Sequence, residues 1–125
     1  MILPESFKNA MQAQLGAEYP AFEAALGQET PVSIRVNPNK PIDNPLWTKE
    51  IPWTKYGYYL PERPVFTLDP AFHAGAYYVQ EASSMVIEDV FKQHAPKDRP
   101  LKVLDLCAAP GGKTTHLASL LGTDD

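Results

Sequence analysis

Apolar residues recur every fourth position at Phe7, Met11 and Leu15, and Gly16 follows directly. This spacing predicts a helix over 5–15 with a single apolar stripe and a glycine stop. A second short helix is expected over 20–26. Pro20 suits its first turn, Phe22 and Leu26 share a face, and Gly27 closes it. Together they predict a small helical lobe. The pattern then switches period. In 31–37 Val32, Ile34 and Val36 alternate with Ser33, Arg35 and Asn37, which predicts a half-buried strand with its polar side outward.

Residues 38–55 hold four prolines and both tryptophans and read as loop with short extended pieces. Short strands are expected over 56–60 and 64–67, and an extended segment over 77–80. Ser83 or Ser84 is expected to cap a helix running to His94, with Val86/Val90 and Ile87/Phe91 as its apolar pairs. The segment 101–107, LKVLDLC, reads as a compact apolar strand covered on both faces. Residues 108–113 form a tight small-residue turn, and 114–122 a helix that buries Leu117, Leu120 and Leu121.

Strand, glycine turn and helix in that order open a parallel α/β sheet. Such a unit requires a returning strand, and Asp124-Asp125 falls where that strand would begin. The 125 residues therefore read as an N-terminal piece of a longer protein. Residues 1–75 are expected to form an α+β N-terminal region, and 76–125 the incomplete start of a Rossmann-like α/β domain.

Composition changes this picture little. With 44% hydrophobic and 21% charged residues, the chain is that of a folded globular domain rather than a disordered segment. No apolar run approaches the ~20 residues a membrane helix needs, and the N-terminus lacks the basic and apolar regions of a signal peptide. One cysteine excludes a disulfide framework. Cys107 with His73, His94 and His116 has no ligand spacing, so no metal site is expected. A cytoplasmic location is the expectation. The thirteen prolines are about twice the usual share, and eight lie between Pro31 and Pro70. The net charge of −4 does not suggest a nucleic-acid binder; only 30–64, at +2, leans that way.

The chemistry concentrates in DLCAAPGGKT, residues 105–114. Cys107, Ala108, Ala109, Pro110, Gly111 and Gly112 are small or compact, and the glycines let a ligand approach the backbone closely. The following helix start offers free N–H groups, and Lys113 adds a full positive charge. A small anionic or zwitterionic group suits this turn; the bland alternative is packing alone. A nucleoside triphosphate is one ligand class. Gly112, Lys113 and Thr114 match the end of a P-loop, but Cys107 stands where its first glycine belongs and Pro110 removes an N–H. The other class is S-adenosyl-L-methionine, whose methionine end carries both a carboxylate and an ammonium.

The string DLCAAPGGKT resembles the cofactor loop of the Sun (Fmu) family of RNA 5-methylcytosine methyltransferases. SIRVNP, 33–38, resembles the family's N-terminal R-x-N element, and YYVQEASSM, 77–85, the segment entering its catalytic domain. The likeness is nearest to the bacterial branch acting on small-subunit ribosomal RNA. It implies a class I methyltransferase domain behind an RNA-recognition lobe, S-adenosyl-L-methionine as cofactor at residues 107–113, and RNA as partner. It also implies a cysteine thiolate adding to C6 of an unstacked cytosine so that C5 can accept a methyl group. The catalytic cysteines of that family belong to downstream motifs absent from this sequence. Cys107 is read as a small buried residue at a strand end, not as the nucleophile, so the chain alone is expected to be inactive.

By the same resemblance Arg35, Asn37, Gln80 and Ser83 are candidate RNA or pocket residues. Their bland readings are a solvated or salt-bridged arginine and an ordinary N-cap at Ser83. Trp47, Trp53, Tyr56, Tyr58 and Tyr59, interleaved with Lys49 and Lys55, could stack on single-stranded RNA or simply pack the lobe. His73 and His116 are expected at the surface. Two further functions stay open: a P-loop hydrolase, or a non-catalytic RNA-binding module if the chain naturally ends at Asp125.

Overall fold

The computed structural model describes residues 3–47 and 49–122. The chain forms two compact units that divide between Thr30 and Pro31. The first is the helical lobe. Helix α1 spans Glu5–Leu15 and α2 spans Tyr19–Leu26, joined by a 3₁₀ turn. Gly16 ends α1 in a positive-φ conformation (φ 54°), its N–H donating to the Gln12 carbonyl, which only glycine adopts at little cost. Phe22 lies between Phe7 and Tyr19, each pair of ring centroids 6.3 Å apart.

The second unit is built on a four-stranded antiparallel sheet, order β2-β3-β1-β4, comprising β1 Val32–Val36, β2 Lys49–Glu50, β3 Gly57–Leu60 and β4 Tyr77–Val79. Ile34 pairs with Tyr58 on one side and Val79 on the other. Strand alternation sends Ile34 and Val36 to one face, where they join Phe66 and Tyr77 with Trp47, Tyr58 and Phe72 packed around them. Helix α3, Pro70–His73, flanks this core. Asp69 caps it by accepting from the Ala71 N–H (2.8 Å), and its other oxygen accepts from the Tyr77 hydroxyl (2.6 Å). The segment expected as a strand over 64–67 is a 3₁₀ turn, Phe66–Leu68, because Phe66 turns into the core while Val65 and Leu68 stay exposed.

The opposite sheet face is covered too, so β1 is not half-buried: Ser33 and Arg35 are each 4% exposed. Ile51, Ala82 and Met85, with Trp53 and Tyr59 against them, cover part of it. Gly57 permits this approach, since a Cβ there would lie 2.4 Å from Thr54 Cγ2 and 2.8 Å from Met85 Sδ. Neither Ser83 nor Ser84 caps a helix. Their hydroxyls donate to Glu81, and the chain makes a 3₁₀ turn, Ala82–Val86, before α4, Ile87–His94. This shift rotates the helix: Val86 and Val90 are exposed, and its buried residue is Glu88.

Residues 101–107 form no strand. A strand needs a hydrogen-bonded neighbour, and no strand among the described residues pairs with this segment, so Val103, Leu104 and Leu106 remain exposed. Cys107 is likewise exposed rather than buried. The last helix, α5, runs Gly112–Ala118, earlier and shorter than 114–122. It buries His116, which was expected at the surface, and leaves Leu117 and Leu120 only half-covered. The returning strand expected at Asp124-Asp125 lies outside the described residues.

Candidate functional site

The loop between residues 105 and 114 is closed by its own side chains. One Asp105 oxygen accepts from the Cys107 N–H (2.9 Å), and the other accepts from the Thr114 hydroxyl (2.6 Å), which ties the loop's two ends together. These two donors hold the Asp105 carboxyl below its usual range. Gly111 has φ +105°, and a Cβ there would meet nothing within 4 Å, so the space before the loop is open. Gly112 is close-packed: a Cβ would sit 3.3 Å from the Tyr78 ring. The glycines thus serve different ends, one a backbone conformation facing open space, the other a close approach of α5 to β4.

Between loop and sheet lies a cleft of about 240 Å³, lined by Tyr78, Gln80, Glu81 and Ser84 on one side and residues 107–113 on the other. The structure therefore brings Cys107, Ala108, Ala109, Pro110, Gly111, Gly112, Lys113 and Gln80 together. Ser83 does not line it; its neighbour Ser84 does. Arg35 and Asn37 lie at an adjoining cavity of about 330 Å³ with Tyr78 and Thr115. Asn37 is a turn residue there, donating to the Gly75 carbonyl and accepting from the Asn39 N–H, both at 3.0 Å. Tyr78 escaped the sequence reading, whereas Glu81 lies in the segment that the resemblance places beside the pocket. The period-2 spacing from Tyr78 on β4 to Gln80 just past it was the available signal for Tyr78.

Arg35 lies behind the cleft. Its Nε–H donates to Gln80 Oε1 (3.0 Å) and its Nη2 donates to Thr115 Oγ1 (2.7 Å). Burial pushes its pKa down from the usual guanidinium range, with Glu88 opposing, and the guanidinium stays charged. Under α5 sits a second polar cluster. Glu88, fully buried, accepts from the Thr54 hydroxyl (2.6 Å), the Lys55 N–H (3.1 Å), Lys92, and His116 Nε2 (2.9 Å). Burial would raise the Glu88 carboxyl, but these donors outweigh it and hold the group at about 2. Burial lowers the His116 pKa, so a neutral ring donates Nε2–H to the carboxylate. Its Nδ1 is buried without a partner among the described residues.

The aromatic and basic stretch is occupied with packing. Trp47 stacks on Tyr58 and meets Tyr77 edge-on, and Trp53 Nε1 donates to the Ala82 carbonyl (2.7 Å). Lys49 and Lys55 lie over Tyr59 and Tyr56, each 5.2 Å from the ring centre.

A family model described as the N-terminal domain of 16S rRNA methyltransferase RsmF matches residues 3–82, and one described as 16S rRNA methyltransferase RsmB/F matches 91–125. The chain is similar to proteins named ribosomal RNA small subunit methyltransferase F. For that of Erwinia tasmaniensis the identity is 34%, covering 98% of this chain and 28% of the relative. For that of Serratia proteamaculans it is 35%, covering 97% and 28%. The chain thus spans little more than a quarter of these relatives' length. The crystal structure of PH0851 superposes with a TM-score of 0.77 at 28% identity, covering 94% of this chain and 28% of that one. Fold and matches agree on an α+β N-terminal region leading into a methyltransferase domain.

Proposed function

Since the chain belongs to the family of the N-terminal domain of 16S rRNA methyltransferase RsmF, we propose that it is the N-terminal part of an S-adenosyl-L-methionine-dependent ribosomal RNA cytosine-C5 methyltransferase. The observation that carries this is the cleft at 107–113. An open, positive-φ glycine, a row of small residues and Lys113 line a space of about 240 Å³, below the usual range of ligand pockets and suited to the amino-acid end of the cofactor. Lys113 would meet the carboxylate, and the loop backbone would admit the chain close to its surface. Bound there, S-adenosyl-L-methionine supplies the methyl group. The P-loop reading is not favoured, because the matching family is one of methyltransferases.

In this reading residues 1–75 form the lobe that meets RNA and 76–125 begin the catalytic domain, in a cytoplasmic enzyme. The nucleophilic cysteine belongs to the longer protein outside this chain. Cys107 borders the cofactor, and the 125-residue chain alone transfers no methyl group. The test is calorimetry of the intact protein with S-adenosyl-L-methionine and with ATP, beside its Gly111→Val variant. Binding of the first nucleoside only, weakened at least tenfold by the β-branched residue at φ +105°, is expected. Unchanged affinity in the variant, or preference for ATP, would sink the assignment.

A further inference from the structure

The arginine of β1 sits where it can set the width of the cofactor cleft. Arg35 is 4% exposed, so its guanidinium has no surface from which to hold an RNA phosphate. Its nitrogens instead join the cleft's two walls. Nε holds the Gln80 side chain, whose own amide donates to Ser84 Oγ (3.3 Å). Gln80 and Ser84 both line the cleft. On the other side Nη2 donates to Thr115 Oγ1 and lies 3.4 Å from the Gly112 carbonyl. The Thr115 hydroxyl passes this on, donating to the Gly111 carbonyl (2.8 Å). One planar, permanently charged group therefore orients the sheet-side wall and, through a single hydroxyl, the peptide of the loop glycine. The backbone of Gln80 is clamped from the same strand. Its N–H donates to the Ser33 carbonyl (3.2 Å), and the Ser33 hydroxyl donates to its carbonyl (2.7 Å).

We propose that Arg35 is a positioning residue for the cofactor loop, holding Gln80 and the Gly111–Thr115 turn at fixed separation so that the cleft is preformed. This rests on the cofactor reading of the cleft. Arginine is required by shape, because lysine offers one point charge and cannot span two walls as a planar fork does.

Two variants test it, Arg35→Lys, which keeps the charge, and Thr115→Val, which removes only the hydroxyl relay. In the intact methyltransferase carrying this chain, Arg35→Lys is expected to raise the KM for S-adenosyl-L-methionine about tenfold, the order expected for losing a charge-assisted hydrogen bond, with kcat within about threefold. Thr115→Val should raise it about threefold. Hydrogen exchange is read in parallel. The amides of Thr115 and Ser119, bonded to the Gly111 and Thr115 carbonyls, should exchange faster, while that of Val36, bonded to Tyr56, should not. Unchanged KM in Thr115→Val, or a fall in kcat at constant KM in either variant, would overturn the proposal, the latter showing only lost folded protein. If Arg35→Lys does not fold, Thr115→Val decides alone. Should the unsubstituted protein not bind the cofactor, the reading of the cleft fails. The exchange data then judge the bridge itself: faster exchange at Thr115 upholds it and unchanged exchange refutes it.

Discussion

Glu88→Gln isolates one charge beneath α5. The carboxylate is held at about 2 against an ordinary 4.5. At 1.36 kcal/mol per pH unit that difference corresponds to about 3 kcal/mol. Lys92, one of its donors, has a side chain 55% exposed, so solvent screening reduces the figure to about 2 kcal/mol. A carboxyl lowered on folding stabilises above its unfolded pKa. The contribution is therefore full near pH 7 and is lost as the pH falls from about 5 towards 2. The amide keeps part of the network. Its oxygen can accept from the Lys55 N–H, and its NH₂ can face the Thr54 hydroxyl and His116 Nε2, because the hydroxyl can rotate and the imidazole can change tautomer. Glu88→Gln is thus expected to cost about 2 kcal/mol at pH 7. Glu88→Ala, which strands the Thr54, Lys55 and His116 donors and opens a cavity, should cost about 3–5 kcal/mol. Urea unfolding followed by tryptophan fluorescence at pH 7 and pH 3 reads both. The gap between wild type and Glu88→Gln should fall to less than half its pH 7 size at pH 3. A Gln variant as stable as wild type at pH 7, or a gap undiminished at pH 3, would refute the reasoning.

Gly57→Ala should destabilise the sheet unit by about 1–3 kcal/mol, since the new methyl would meet Thr54 Cγ2 and Met85 Sδ well inside contact distance; a urea midpoint equal to wild type would count against it. Cys107 is exposed in the loop and should react fully with a thiol reagent in the folded chain, and its change to alanine in the intact enzyme should leave methyl transfer measurable; total loss with normal folding and cofactor binding would make it the nucleophile. Residues 102–106, which belong to no strand among the described residues, should show little amide protection in the isolated 125-residue chain, whereas strong protection in a monomer would contradict the structure. The same chain, mixed with ribosomal RNA and S-adenosyl-L-methionine, should yield no methylated cytosine; robust transfer would disprove the assignment of the nucleophile to segments outside it.

Local patterns carried the local structure. The fourfold spacing before Gly16 specifies α1, and the alternation in 31–37 specifies β1, because both depend on neighbours a few residues apart. The loop at 107–113 was legible for the same reason: its glycines and lysine are consecutive. What the alternation could not reveal is that the polar side of β1 is also covered. Ser33 and Arg35 find their partners at Gln80 and Thr115, 45 to 80 residues away, and polar side chains can be buried only when such partners arrive. His116, expected at the surface, and Glu88, not singled out, were missed on the same ground, since neither has reason to be buried until the other is placed 2.9 Å from it. At 101–107 the composition of a buried strand is present, but a strand is a paired object, and no strand among the described residues pairs with it.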